Sequence, residues 1–214
     1  MKEEVVITGG GGRIASIIVE YLSNEFSFTL LDKNPGENIL EIDIVSEYDN
    51  LVKLLKGKDA VIHLAWDTKE NWRSGIAEPN NIKMAENVLR AALKAGVKRI
   101  VIASSIHADN FREWKGGELM TVDKIPEPKT PYGESKVKIE LLAKEYAEKG
   151  LEVVCVRFGG VDKNDEFRNE KDYEKIWLSS KDYANLVEIC LEAEEIPEGY
   201  LVLYGVSNND GRIH

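Results

Sequence analysis

The sequence predicts an α/β fold in which a doubly wound parallel sheet carries helices on both faces. Short apolar runs alternate with amphipathic segments along the whole chain. Runs this short and this apolar suit strands that are buried on both faces. The amphipathic segments between them suit the crossover helices that join neighbouring parallel strands. A chain of 214 residues can bury one core of this kind, so we expect a single domain over residues 1–214.

Seven apolar runs are the predicted strands of the sheet. In chain order they are EVVIT (4–8), FSFTLL (26–31), NILEI (38–42), DAVIHLA (59–65), RIVIAS (99–104), LEVVCVRF (151–158) and YLVLYG (200–205). The stretch from 106 to 130 contains no predicted element, and a loop of this length in a compact domain is typical of a functional or mobile segment.

Five amphipathic segments are the predicted helices, at 13–23, 46–55, 80–95, 131–149 and 180–193. Ser46, with Asp49 three residues on, has the pattern of a helix start. Pro131 suits a first-turn position, and Ser180 precedes Asp182 at the start of the last helix. These signals place the beginnings of three helices directly after loops.

The composition excludes several classes of function. A formal net charge of -10 with no dense basic run disfavours a nucleic-acid partner. The sequence shows no apolar stretch of membrane-spanning length and no signal-peptide pattern, so we expect a cytoplasmic protein without a membrane partner. Cys155 and Cys190 lie in apolar segments without CxxC spacing, so we expect buried reduced thiols and no metal site.

The first predicted strand leads into a glycine loop, TGGGGRIASII at 8–18. Gly9 and Gly12 have the spacing of a loop whose backbone N–H groups face a pyrophosphate at a helix N-terminus, and Ala15 is the third small position. A simple tight turn would use the same glycines. Together with the strand that precedes it, the loop favours a Rossmann-like, dinucleotide-binding fold.

Two acids follow the second and third predicted strands. Asp32 lies about 20 residues beyond the glycine loop, where a carboxylate can bind both ribose hydroxyls of adenosine and repel a 2'-phosphate. This position favours NAD over NADP, although a surface acid at a strand end is the alternative. Asp43 and Ile44 are candidates to flank the adenine, and Asp43 could equally be a turn or cap residue.

The segment TPYGESK (130–136) places Tyr132 and Lys136 one helical turn apart behind Pro131. A tyrosine is a poor base at neutral pH, and a nearby ammonium stabilises the phenolate and lowers the pKa of the phenol. Ser104 and Ser105 end the fifth predicted strand and can supply a hydroxyl to the substrate oxygen. Chance alone would produce a Tyr-x-x-x-Lys spacing about once in this chain, so position rather than spacing carries this prediction.

Six ordered motifs together resemble the extended short-chain dehydrogenases/reductases, the NAD-dependent epimerase/dehydratase group. They are TGGGGRIA, Asp32, HLA (63–65), NNIKMAENVLRAA (80–92), ASSIH (103–107) and YGESK (132–136). The resemblance implies Tyr132 as the catalytic base, Lys136 as its partner, Ser105 as the third member and Asn81 as a structural or relay residue. It also implies a homodimer that pairs the helices at 80–95 and 131–149. These helices carry more apolar residues than one sheet-facing stripe requires, among them Val88, Leu89, Leu93, Leu141 and Leu142. The resemblance further implies NAD bound by Gly9, Gly12, Arg13, Ile14, Asp32, Asp43, Ile44, Leu64, Ala65 and Lys136.

Within that group the chain is most similar to the uronate dehydrogenases, which oxidise C1 of a uronate to a lactone. The likeness rests on IVIASSIH (100–107), YGESK, WLSSKDYANLVE (177–188) and LYGVSNNDG (203–211). It implies substrate contacts by Thr68, Ser105, His107, Tyr132 and Arg168, with Lys171 or Lys175 as alternatives to Arg168. A substrate serine of the subfamily corresponds to Gly160.

The sequence therefore predicts an NAD-dependent oxidation of a small sugar acid or a related sugar or sugar phosphate. About 56 residues follow the sixth predicted strand, so we expect a reduced C-terminal substrate-binding portion, with substrate elements at about 106–130 and 159–180. Two alternatives remain at this point. One is a sugar epimerase or dehydratase that recycles its hydride, and the other is a dinucleotide-sensing protein without chemistry.

Overall fold

Seven parallel strands form the central sheet of the computed structural model, which describes residues 2–114, 117–170 and 172–214. With the two strands of a separate small sheet, the described residues form nine strands, which are β1 (Glu3–Thr8), β2 (Phe26–Asp32), β3 (Ile39–Glu41), β4 (Ala60–His63), β5 (Arg99–Ser105), β6 (Glu152–Phe158), β7 (Gly160–Val161), β8 (Trp177–Leu178) and β9 (Tyr200–Gly205). The sheet has the order β3-β2-β1-β4-β5-β6-β9 with every neighbouring pair parallel, and β7 pairs separately with β8. The strand order reverses between β1 and β4, which is where such sheets open a ligand crevice.

The helices are α1 (Arg13–Leu22), α2 (Tyr48–Leu55), α3 (Pro79–Ala95), α4 (Pro131–Ala147) and α5 (Ser180–Glu192). All predicted strands and helices are present, and the doubly wound Rossmann-like class is confirmed. The predicted start of α2 at Ser46 is wrong, because the helix begins at Tyr48. The preceding Glu47 instead accepts a hydrogen bond from the backbone N–H of Asp43 at 2.9 Å.

The helices cover both faces of the sheet and bury two apolar layers. On one face, α2, α3 and α4 pack through residues such as Leu51, Val88 and Ile139. On the other face, α1 and α5 pack through residues such as Ile17 and Val187. Because both faces are covered, the carboxyl ends of the strands are left as the edge at which a ligand can bind.

The apolar residues that suggested a dimer are mostly internal. Val88 and Leu89 are fully buried, while Leu93 and Leu142 pack against the same core, because α3 and α4 lie against each other within the chain. Leu141 is 61% exposed. Val88 and Leu89 therefore give no support to a dimer, and the homodimer stays a prediction. No helix in the described ranges is both long and apolar enough to cross a membrane.

Candidate active site

A cleft of about 460 Å³ opens at the carboxyl ends of β1, β2 and β4. All the predicted cofactor residues except Lys136 line it, namely Gly9, Gly12, Arg13, Ile14, Asp32, Asp43, Ile44, Leu64 and Ala65. The structure thus brings residues from four separate segments of the chain into one elongated pocket at the switch point. We refer to it as the glycine-loop cleft.

Gly9 explains why the loop needs glycine. Its φ is +74°, and a Cβ atom at this position would lie 2.7 Å from the backbone nitrogen of Ala65. Any other residue would force the loop away from the segment that follows β4. Both Gly9 and Ala65 line the glycine-loop cleft.

The start of α1 is open to an anion. Gly12 precedes the helix, and among the described residues no side chain caps it and no acid lies in its first turn. By contrast, Thr130 caps α4 and Ser179 caps α5, each accepting a bond from a backbone N–H. A helix N-terminus of the length of α1 with free N–H groups suits a phosphate. The glycine loop therefore fits the pyrophosphate of a dinucleotide.

Asp32 stands at the far side of this cleft. One carboxylate oxygen accepts a bond from the N–H of Gly11 at 3.1 Å, and the other accepts one from the N–H of Asn34 at 2.9 Å. Asp43 also accepts a bond from the N–H of Val45 at 2.9 Å, so it is a turn residue as well as a residue of the cleft. Both acids are held by backbone groups, which fixes their carboxylates in place.

A second cleft, of about 290 Å³, meets the first at Ile14, Leu64 and Trp66. We refer to it as the tyrosine cleft. The predicted residues that line it are Ser105, His107, Tyr132, Lys136 and Arg168. Both predicted substrate segments contribute to its walls, 106–130 through Arg112 and 159–180 through Gly160. A ligand that fills both clefts would pass directly beside Tyr132.

Tyr132 lies in the first turn of α4, and its hydroxyl interacts with Ser105. Burial raises the pKa of Tyr132, the hydrogen bond to Ser105 lowers it, and the charge of Glu70 raises it. The expectation that Lys136 would lower this pKa is not met. Burial dominates because it penalises the phenolate directly.

Lys136 lies behind Tyr132, with its ammonium 5.5 Å from the centre of the tyrosine ring. The ammonium donates to the carbonyl oxygen of Ala103 at 2.8 Å and lies 3.6 Å from the centre of the Trp66 ring. Burial lowers the pKa of Lys136 to about 7, and the nearby Glu70 and Glu140 act in the opposite direction. Near pH 7, the buried Lys136 side chain is therefore close to the point at which it loses its proton.

The two serines at the end of β5 have different partners. Ser105 accepts a bond from the N–H of His107 at 3.2 Å and interacts with Tyr132. Ser104 donates to a carboxylate oxygen of Glu140 at 2.5 Å. Because neighbouring residues of a strand point to opposite sides, only one of them can serve the tyrosine. Ser105 is the one that faces Tyr132, and its catalytic role stays a prediction.

His107 is an aromatic wall of the tyrosine cleft. Its ring stacks on Trp72 with 5.2 Å between the centres and meets Tyr132 edge-on at 5.8 Å. Burial and the charge of Arg112 lower the pKa of His107 to about 4. The imidazole is therefore neutral near pH 7 and can offer a substrate hydroxyl one donor and one acceptor.

Comparison with known proteins settles the family. The profile of the NAD dependent epimerase/dehydratase family matches residues 5–161. The chain belongs to this family. A crystal structure of a uronate dehydrogenase variant from Agrobacterium tumefaciens with NAD superimposes with a TM-score of 0.84 and 25% identity, covering 100% of this chain and 80% of that one.

Two similar proteins match nearly the whole chain. An NAD-dependent glucose-6-phosphate dehydrogenase of Haloferax volcanii is 30% identical over 100% of this chain and 88% of its own length. A uronate dehydrogenase of Pseudomonas putida is 28% identical over 96% of this chain and 76% of its own length. The protein is an NAD-dependent enzyme of the dehydrogenase and epimerase type, which removes the alternative of a sensor without chemistry.

Among the residues assigned to substrate by likeness to the uronate dehydrogenases, Arg168 lines the tyrosine cleft. Of its two alternatives, Lys175 donates to Asp172 at 2.6 Å and does not line that cleft, while Lys171 lies outside the described residues. Thr68 lines the glycine-loop cleft rather than the tyrosine cleft, because the segment after β4 carries it towards Asp32. The structure does not bring Thr68 together with Tyr132.

At Gly160, the position to which the resemblance assigned a substrate serine, there is no room for a side chain. A Cβ atom at Gly160 would lie 2.5 Å from the ring of Tyr173. The Tyr173 ring fills the space that a side chain at 160 would take, and its buried hydroxyl has no hydrogen-bond partner among the described residues. Sequence reasoning missed Tyr173, because a lone tyrosine in a polar segment belongs to no recognisable motif.

Asn81 has a structural part in this site. Its side chain is fully buried, accepts a bond from the N–H of Asp67 at 2.6 Å and donates to a carboxylate oxygen of Glu70 at 2.8 Å. These bonds hold the loop after β4 against α3. Sequence reasoning also missed Glu70, because an acid in a polar loop normally lies on the surface.

Proposed function

We propose that the protein oxidises the C1 hydroxyl of a small sugar acid such as a uronate, or of a related sugar or sugar phosphate, to the lactone. The observation that carries this proposal is the tyrosine cleft, where Tyr132 and Ser105 share one cavity with Arg168. An acid-base pair at one end and a cation at the other suit a substrate with a reacting hydroxyl and an anionic group.

Each catalytic side chain has a defined task in this reaction. Tyr132 takes the proton of the C1 hydroxyl, while Ser105 donates a hydrogen bond to the C1 oxygen. Bound NAD supplies the acceptor for the hydride that leaves C1. Lys136 would hold the ribose next to the nicotinamide of a bound NAD, and its positive charge favours the phenolate form of Tyr132.

Two arginines support an anionic substrate. Arg168 and Arg112 both line the tyrosine cleft, and neither forms an ion pair with any other described residue. Glu170, the acid at the same cleft, pairs with Arg73. A guanidinium can bind a carboxylate or a phosphate through two parallel hydrogen bonds. Both anion types are therefore included in the test.

The test is NADH formation at 340 nm with purified protein, NAD and a panel of glucuronate, galacturonate, glucose 6-phosphate and uncharged aldoses. We expect stoichiometric NADH with at least one anionic sugar. In Arg168→Gln, we expect KM for that sugar to rise about 10-fold or more, as a lost charge-assisted hydrogen bond implies. Faster turnover of uncharged aldoses would contradict the assignment of the anionic end.

The family also contains enzymes that return the hydride to the sugar. In such an epimerase or dehydratase the same Tyr132 and Lys136 would serve, and the NAD would be regenerated in each cycle. Substoichiometric NADH together with a rearranged sugar in the product mixture would favour this alternative over the dehydrogenase.

A further inference from the structure

Glu70 places a carboxylate inside the protein without an arginine or lysine at ion-pair distance among the described residues. The residue is 0% exposed. One oxygen accepts a bond from the hydroxyl of Ser135 at 2.7 Å, and the other accepts one from the amide of Asn81 at 2.8 Å. Two neutral donors offset only part of the cost of burying a charge. A compensating cation is therefore needed nearby.

Lys136 is the cation that meets this need. It follows Ser135 directly in α4, and its charge and that of Glu70 interact through the buried interior. The immediate contacts of its ammonium, the carbonyl of Ala103 and the ring of Trp66, carry no full charge. The Trp66 indole in turn donates to the backbone carbonyl of Glu70 at 2.7 Å, which fixes the loop around the ammonium.

We propose that Glu70 is a positioning residue whose carboxylate is the buried counter-ion of Lys136, holding that ammonium charged and in place in the active site. The catalytic part of this inference rests on the proposed role of Lys136 in the proposed function. The electrostatic pair itself does not, because it is a property of the folded protein without substrate.

The other groups that face Lys136 are not available for this role. Glu140 lies one turn further along α4, but both its oxygens accept bonds from the guanidinium of Arg157, at 2.8 and 2.9 Å. From β6, Cys155 is a neutral thiol because burial raises its pKa. From β4, His63 is neutral because burial lowers its pKa to about 3. Among the described residues that face Lys136, Glu70 is therefore the anion that forms no ion pair.

The consequence concerns the protonation of Lys136. Burial alone drives the ammonium towards its neutral form, and Glu70 is the strongest influence against this. Tyr132, which faces Lys136 from the same helix, feels the charge of Glu70 in the opposite sense, because an anion disfavours the phenolate. The Glu70 carboxylate thus keeps Lys136 charged and also raises the pKa of Tyr132.

The first experiment is the pH profile of kcat/KM for Glu70→Gln, which keeps the size of the side chain and removes its charge. We expect the alkaline limb to move to lower pH by about one unit, the shift that one nearby opposite charge produces. Ser135→Ala is the matched control, because it removes a hydrogen bond to the same carboxylate and leaves the charge. We expect it to lower the melting temperature without moving the limb. Glu70→Asp should retain the wild-type limb.

The second experiment needs no activity. A double-mutant cycle with Glu70→Gln, Lys136→Met and the double variant measures unfolding by urea. We expect each single change to lower the urea midpoint. In the double variant the midpoint should fall by less than the two single falls added together, because no unpaired charge is left. Additive losses, or a folded Glu70→Gln with an unmoved pH limb, would overturn the proposal and leave Glu70 as an anchor for the loop. If no sugar were oxidised, the proposed function would be wrong. The double-mutant cycle would still show whether Glu70 and Lys136 interact.

Discussion

The ammonium of Lys136 lies 3.6 Å from the centre of the Trp66 ring, at the junction of the two clefts. If Lys136 binds the nicotinamide ribose, the ribose hydroxyls compete with the indole for the same cation. We therefore expect NAD binding to change the emission of Trp66. Titration of the protein with NAD, followed by tryptophan fluorescence, measures this change.

Trp66→Phe should lose most of that fluorescence response and still bind NAD by calorimetry. Trp114, which does not line either cleft, provides the matched control, so Trp114→Phe should keep the response. An undiminished response in Trp66→Phe would show that another tryptophan reports the binding.

Asp32 should determine the preference for NAD. Its carboxylate is held by the backbone N–H groups of Gly11 and Asn34 at the edge of the glycine-loop cleft. Asp32→Ala removes the acceptor for the ribose hydroxyls and the charge that repels a 2'-phosphate, so we expect kcat/KM for NAD to fall about 10-fold or more. The ratio of NADP to NAD activity should rise in the same assay, and a ratio equal to that of the wild type would contradict this role.

Arg157 should be essential for stability. It is 2% exposed, binds Glu140 through two nitrogens and Asp109 through a third at 2.6 Å, and so ties β6 to α4 and to the loop after β5. Arg157→Met leaves two buried carboxylates without their cation, which costs about 3–5 kcal/mol of unfolding free energy. Urea unfolding measures the loss.

Lys58→Met is the control for this prediction, because Lys58 forms an ion pair with Glu4 at 2.9 Å near the surface. An exposed pair of this kind contributes about 0–1 kcal/mol. Equal losses in the two variants would mean that burial does not set the strength of these ion pairs.

His63 should make the protein less stable in mild acid. The residue is 4% exposed, and its ring forms a hydrogen bond with the hydroxyl of Thr8 at 2.7 Å. Burial and the charge of Lys136 lower the pKa of His63 to about 3. The unfolded chain binds a proton at this residue below about pH 6.5, while the folded chain does not. The contribution of His63 to the free energy of unfolding is therefore fully present above about pH 6.5 and is lost as the pH falls towards the pKa of the folded protein. The slope of this loss approaches about 1.4 kcal/mol per pH unit.

Urea unfolding between pH 7 and pH 5.5 gives this slope. In His63→Gln we expect this slope to decrease by about 1.4 kcal/mol per pH unit, the contribution of one bound proton. The contributions of His107 and His214 should persist, because burial also lowers the pKa of each. A slope identical to that of the wild type would exclude His63 as a source of the acid sensitivity.

The order of strands and helices followed from the sequence, because apolar periodicity and loop chemistry are local properties. The glycine loop, Asp32 and the spacing of Tyr132 and Lys136 could be recognised for the same reason: each is a short pattern next to a predicted strand or helix. That these residues line two joined clefts could also be predicted from the sequence, because parallel strands bring their carboxyl ends to one edge of the sheet.

Only the tertiary structure decided what surrounds these residues. It separated Ser105 from Ser104, directed Thr68 to the glycine-loop cleft, and placed Glu70 against a helix 65 residues further along the chain. It also reversed the expected direction of the pKa of Tyr132. Burial and neighbouring charge set these properties, and both depend on side chains that are distant in sequence and meet only when the sheet and its helices have packed.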